Sequence, residues 1–264
     1  MRKISATSVY KCRPVISTRA RRRCGGSLCG GYAVSYTSRA MIVLWHCAVI
    51  AVFLAPSHAT SSDSENQSSL DISLVIDRTT SIGAANYDAM LDSIMTLISK
   101  YDVGENKTHF AIVTYAFNAE VRVSLDDVKY HSQEALREGI EEMKAKDKLI
   151  HRTRTDKALK KVCDEVFVPE KGDRPESPNV LILFTDGGTR KTSAPYGTVL
   201  PACEVKHVHR VAVGIGKNIK RSELEIIAGD SGRVVAVKRF ADLPNYLDSI
   251  RETANSKSFF ILSF

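Results

Sequence analysis

Two stretches of this sequence place oxygen-bearing side chains directly after apolar runs. Leu70 to Ile76 leads into Asp77-Arg78-Thr79-Thr80-Ser81, and Val180 to Phe184 leads into Thr185-Asp186-Gly187-Gly188. Each puts a carboxylate at the end of a strand-like segment, and the first adds the hydroxyls of Thr79 and Ser81 at alternate positions. Carboxylate and hydroxyl oxygens that converge suit a hard divalent cation such as Mg²⁺, which prefers six oxygens at about 2.0–2.1 Å and keeps several waters. With only two carboxylates and neutral hydroxyls in the shell, such an ion keeps net positive character and a replaceable water, so it can accept a carboxylate from outside. The competing reading for Asp77 and Asp186 is capping, because an aspartate between a strand and a helix often accepts backbone amides.

Convergence requires elements that end at one place. The strand candidates are Leu70 to Ile76, Phe110 to Tyr115, Val180 to Phe184, Val208 to Val213 and Val234 to Val237, each short and rich in β-branched residues. Between them lie helical stripes: Tyr87, Met90, Leu91, Ile94, Leu97 and Ile98; then Leu159, Val162, Cys163 and Val166; then Phe240, Leu243, Leu247 and Ile250. Ala119 to Leu125 alternates apolar and polar residues after the Phe117-Asn118 turn, as an antiparallel edge strand does. The pattern predicts an α/β fold: an open, mostly parallel, doubly wound sheet with one antiparallel edge strand and helices on both faces. In such sheets ligands bind at the carboxyl ends of the strands, where both aspartates fall.

Asp77-x-Thr79-x-Ser81, Thr153-Arg154-Thr155-Asp156-Lys157-Ala158-Leu159 and Phe184-Thr185-Asp186-Gly187 occur in the order and at the spacing of the von Willebrand factor A and integrin I-domain family, which the chain resembles over roughly residues 70–254. The resemblance implies a metal-ion-dependent adhesion site, with Asp77, Thr79 and Ser81 in the first loop, Thr153 in the second and Asp186 in the third. It implies Mg²⁺, or Mn²⁺ or Ca²⁺, as the cofactor. The expected partners are extracellular matrix proteins such as collagens or other glycoproteins, bound through an acidic residue. Two departures stand out: Thr79 replaces the usual serine, and Arg78 stands where many members have glycine, so its guanidinium is expected to point away from the cation. A structural matrix module with an inactive metal site is the alternative. An Mg²⁺-dependent phosphohydrolase using Asp77 as nucleophile is a weaker one, since Thr79 stands where a second acid would act as general acid.

Composition narrows the partners further. The formal charge is +7, but nine of the 37 Lys and Arg and none of the 30 acids lie in residues 1–59, so the rest of the chain sits at −2 and gives nucleic acid no footprint. Met41 to Ala55 is apolar except for His46 and is followed by Ser57-His58-Ala59, the pattern of a signal peptide, with Met41 an alternative start. The run is shorter than the ~20 residues a spanning helix needs, so a secreted, extracellular protein without a permanent membrane span is expected. The expected organisation is a leader over 1–59, a linker over 60–69, the A domain over 70–254 and a tail over 255–264. Asn66 and Asn106 begin N-glycosylation sequons. Four cysteines fall in the leader, leaving Cys163 and Cys203, either as a disulfide or as two buried thiols. Gly214-Ile215-Gly216 lacks the third glycine of a dinucleotide loop, and His207 and His209 are expected on one face of a strand without a third zinc ligand. With no hydrolase elbow or phosphate-binding motif either, binding rather than catalysis is expected.

Overall fold

The computed structural model describes residues 69–256, apart from Ser231. The leader, the sequon at Asn66 and the last eight residues lie outside the described residues. Six strands form one sheet in the order β3-β2-β1-β4-β5-β6. They are β1 (Asp71–Asp77), β2 (His109–Tyr115), β3 (Ala119–Val123), β4 (Asn179–Thr185), β5 (His209–Ile215) and β6 (Arg233–Val237). All neighbours are parallel except β2 and β3. Every residue of β1, β2 and β5 is buried, which is why these segments are mostly apolar rather than alternating, whereas the edge strands β3 and β6 are partly exposed.

The pleat divides the apolar residues between two cores. Ile72, Leu74, Ile76, Phe110, Ile112, Ile182 and Val213 face helices α1 (Ala84–Ile98) and α2 (Gln133–Lys146), a 3₁₀ segment (Phe240–Tyr246) and α7 (Leu247–Ala254). Val75, Val113, Leu181, Leu183 and Ala212 face α3 (Thr155–Lys161), α4 (Tyr196–Val199), α5 (Pro201–Val205) and α6 (Arg221–Ala228). At Gly214 the α6 side of the sheet is so close that an added Cβ would lie 2.5 Å from Leu224 Cδ1.

The stripe from Leu159 to Val166 is not one α-helix: α3 ends at Lys161 and a single π turn, Val162–Val166, follows. That turn keeps Cys163 fully buried, and Cys163 is joined to Cys203 of α5 in a disulfide with 4.7 Å between Cα atoms. The stripe from Phe240 likewise starts as 3₁₀ helix, since Pro244 within it has no amide to donate. His207 and His209 do not share a strand face. His207 adopts φ 51° in the turn before β5, while His209 opens β5, is buried, and its Nε2 meets the carbonyl of Thr253 at 3.0 Å.

At the amino end of the central strand, Asp71 is wholly buried and accepts bonds from the amide (2.8 Å), Nε (2.9 Å) and Nη2 (2.6 Å) of Arg174. Burial pushes the Asp71 carboxyl above its ordinary value, and the bonds from Arg174 pull against it. Removing one partner of such a pair leaves a buried charge uncompensated. Arg174→Met is therefore expected to destabilise the fold by about 3 kcal/mol, read as a lower denaturant midpoint at unchanged slope.

Candidate functional site

Parallel pairing brings three side chains to one level at the carboxyl ends of the central strands. Asp77 pairs with Tyr115 across β1 and β2, and Ile76 with Phe184 across β1 and β4, so Thr185 ends beside Asp77. Alternation puts Asp77, Tyr115 and Thr185 on the same face. The result is a held carboxylate: Asp77 Oδ2 accepts from the hydroxyls of Thr185 (2.9 Å) and Tyr115 (3.3 Å), and Oδ1 accepts from the Thr79 amide (2.9 Å).

From there a chain of oxygens crosses to the other aspartate. Ser81 Oγ donates to Asp186 Oδ1 at 3.1 Å, and Thr79 Oγ1 lies 2.8 Å from Ser81 Oγ. Either hydroxyl can be the donor in the second bond. Asp77 and Thr79 are buried and Asp186 is 8% exposed, while Ser81 is exposed and opens the cluster to solvent.

The electrostatics are unbalanced. Neither carboxylate is paired with Lys or Arg among the described residues. Burial raises the Asp77 carboxyl to about 6, opposed by its bond from Thr79 and reinforced by the charge of Asp186. Burial also raises Asp186, against the bond from Ser81. Two buried carboxylates in an all-oxygen cluster, with no Lys or Arg among the described residues to balance them, form the kind of donor set a hard divalent ion satisfies. Among the described residues no three of His, Cys, Asp and Glu gather around a metal, so hydroxyl oxygens must complete any such shell here.

Thr153 arrives by its backbone. Its carbonyl accepts from Arg190 N (3.1 Å) and Thr189 Oγ1 (3.2 Å), which ties its loop to the one carrying Asp186. On the other side Ile150 exchanges backbone bonds with Arg78 and Thr80, tying the same loop to the first. Arg152 takes a left-handed φ of 82° just before Thr153, with its guanidinium over the Phe117 ring. Thr153 is half-buried and its hydroxyl makes no hydrogen bond among the described residues. Asp77 does accept one backbone amide, that of Thr79, but neither aspartate is the N-cap of the helix that follows it, since α4, the helix after Asp186, is entered through Pro195. Helix α1 is entered through Gly83 at φ 77° and α3 through Arg154, neither with a side-chain cap.

Arg78 turns away from the cluster, with Nη2 3.1 Å from Glu120 Oε2 on β3. Asp156, three residues beyond Thr153, is also accounted for. Despite its burial, paired bonds from Arg154 and the Ala194 amide hold its carboxyl down to about 2. Tyr115, Thr185 and Thr189 were not singled out in the sequence, although Thr185 lies next to Asp186.

An open sheet whose first strand ends in Asp77 and whose fourth strand is followed by Asp186, on either side of the topological switch point, defines the class: a doubly wound α/β domain. The chain belongs to the von Willebrand factor type A domain family, whose model matches residues 71–249. The human collagen alpha-5(VI) chain is 32% identical over 66% of this chain and 6% of its own length. The transmembrane cell adhesion receptor mua-3 of Caenorhabditis elegans is 28% identical over 70% of this chain and 5% of its own. A solved structure of proximal thread matrix protein 1 from the mussel byssus, with zinc in its MIDAS motif, superposes with a TM-score of 0.66 at 24% identity, covering 72% of this chain and 48% of that one. The chain thus spans a small part of the two curated relatives and about half of the mussel chain.

The unbalanced pair has a measurable consequence. In the presence of a chelator, Asp186→Asn keeps an acceptor for Ser81 and removes the charge facing Asp77. It is expected to raise the melting temperature by about 3 °C, the shift that roughly 1 kcal/mol produces in a domain of this size. An unchanged or lower midpoint by calorimetry would show that the two carboxylates do not strain the fold.

Proposed function

We propose that this chain is a secreted adhesion or matrix protein that binds an acidic residue of an extracellular partner, collagens or other matrix glycoproteins among them, through Mg²⁺ (or Mn²⁺ or Ca²⁺) held by Asp77, Thr79, Ser81, Thr153 and Asp186. The observation that carries the reading is the pair of buried carboxylates, bridged by hydroxyls and lacking any basic partner among the described residues. Relatives with adhesion and matrix names support it. When bound, the ion supplies an electropositive acceptor for an incoming carboxylate.

The protein's own residues set the terms of that contact. Tyr115 and Thr185 fix the orientation of Asp77, so that its carboxylate need not reorganise on binding. Thr79 and Ser81 supply neutral oxygens and so limit the negative charge of the shell to two. Ser81, being exposed, marks the side from which a partner approaches. Thr153 brings an uncommitted hydroxyl on a loop bonded to both of the others.

No catalytic role follows from this arrangement. Thr79, in the position a general acid would need, offers a hydroxyl that is hydrogen-bonded to Ser81 rather than a second carboxyl. For secretion, the reading rests on the leader, which lies outside the described residues, and on the sequons. Asn106 is exposed in the turn before β2, at the pole opposite the cluster, so a glycan there would leave the cluster uncovered. The disulfide agrees with an oxidising compartment. Among the described residues no helix is long and apolar enough to cross a membrane.

Calorimetric titration of Mg²⁺ and Mn²⁺ into the purified chain tests the reading. Saturable binding is expected in the parent and none in Asp186→Ala. Arg78→Gly should stay within about twofold of the parent, because the guanidinium is engaged by Glu120 away from the cluster. A folded parent that binds neither ion would leave a structural matrix module whose partners dock elsewhere.

A further inference from the structure

Beside the cluster, a cleft of about 440 Å³ opens between the first metal-site loop and the loops after β5 and β6. Ser81 and Asp186 form one end of it, and Phe240 contributes apolar surface. Its volume falls in the range of sites that hold several groups of a ligand, roughly 300–1,000 Å³, and far exceeds what one carboxylate fills.

The charge lining it is mostly positive. Lys217, Lys238 and Arg239 border the cleft, and Asp186 is the one acid among the described residues that line it. Lys217 and Lys238 are exposed, and neither is paired with a carboxylate among the described residues. Arg239 is engaged by Asp242 at 2.7 Å, yet 76% of its side chain remains accessible. Outside residues 1–59 the chain carries slightly more acid than base, so this concentration of unpaired cations is local and does not follow from composition. Such a surface selects partners by complementary charge.

We infer that the partner presents an acidic protein segment, with one carboxylate entering the metal site and further carboxylates lying along the cleft against Lys217 and Lys238. Extended chains present every second side chain to one face, so acids at alternate positions fit this role. The inference rests on the metal-site reading and specifies the chemistry of its partner.

The experiment measures fluorescence anisotropy of two labelled Gly/Ser-based peptides on the full chain in saturating Mg²⁺. One peptide carries a single Glu, the other the same Glu followed by Glu at alternate positions. The acidic series is expected to bind about five- to tenfold more tightly, a preference that shrinks as salt rises. The double variant Lys217→Ala/Lys238→Ala should lose the preference while Mg²⁺ binding, relieved of two nearby positive charges, is retained or tightened. Both lysines are exposed, and an unchanged melting temperature verifies folding. Equal affinity for the two peptides, or a preference that survives the double substitution, overturns the inference with the metal site intact. Absence of Mg²⁺ binding in calorimetry instead overturns the metal-site reading beneath it. Heparin is the third probe: if it binds through the two lysines while neither peptide does, the assigned occupant is wrong.

Discussion

The organisation of this domain depends on holding two carboxylates at the point where the strand order reverses, with no Lys or Arg among the described residues paired to them. A carboxylate withdrawn from water keeps its charge only if hydrogen bonds or a counter-ion replace the lost solvation, and Asp77 is fully withdrawn. The replacement comes from strand register: Tyr115 and Thr185 stand beside Asp77 because three parallel strands end at one level. A one-residue slip in either pairing would turn those hydroxyls to the opposite face. The hydrophobic pattern that sets the register therefore also positions the site.

Much of this was legible in the chain itself. The buried strands announce themselves as β-branched runs, and both aspartates follow such runs directly. Features made by contacts distant in sequence were less accessible. The orientation of Arg78 is decided by Glu120 on an edge strand 42 residues away, and the burial of His209 by its contact with Thr253. The disulfide joins residues 40 apart and depends on a π turn that a helical stripe does not reveal. Helix α6 is two turns long with three buried positions, too brief for periodicity to separate it from a loop. The role of Ile150 is made by backbone atoms alone, to which side-chain patterns are blind.

The two poles of the sheet are built differently. At the amino ends of the strands, the Asp71–Arg174 pair and the contact of His209 with the last helix involve buried groups joined directly. At the carboxyl ends, three loops meet over the cluster through hydrogen bonds among short polar side chains and backbone. That contrast suits a rigid scaffold presenting adjustable loops. Around the cleft Arg239 is matched to Asp242, whereas Lys217 and Lys238 have no carboxylate partner among the described residues.

The position of the domain's ends has a mechanical consequence. The chain enters at Asp71, at the amino end of the central strand, and α7 finishes at the same pole, where Thr253 touches the first residue of β5. A partner held at Asp186 and a tether pulling on the entering chain would draw on opposite poles, so tension runs along β1. That strand is hydrogen-bonded on both sides, to β2 and to β4, over nearly its whole length. Its bonds would be loaded together in shear rather than opened one after another, which is the arrangement that resists extraction of the strand.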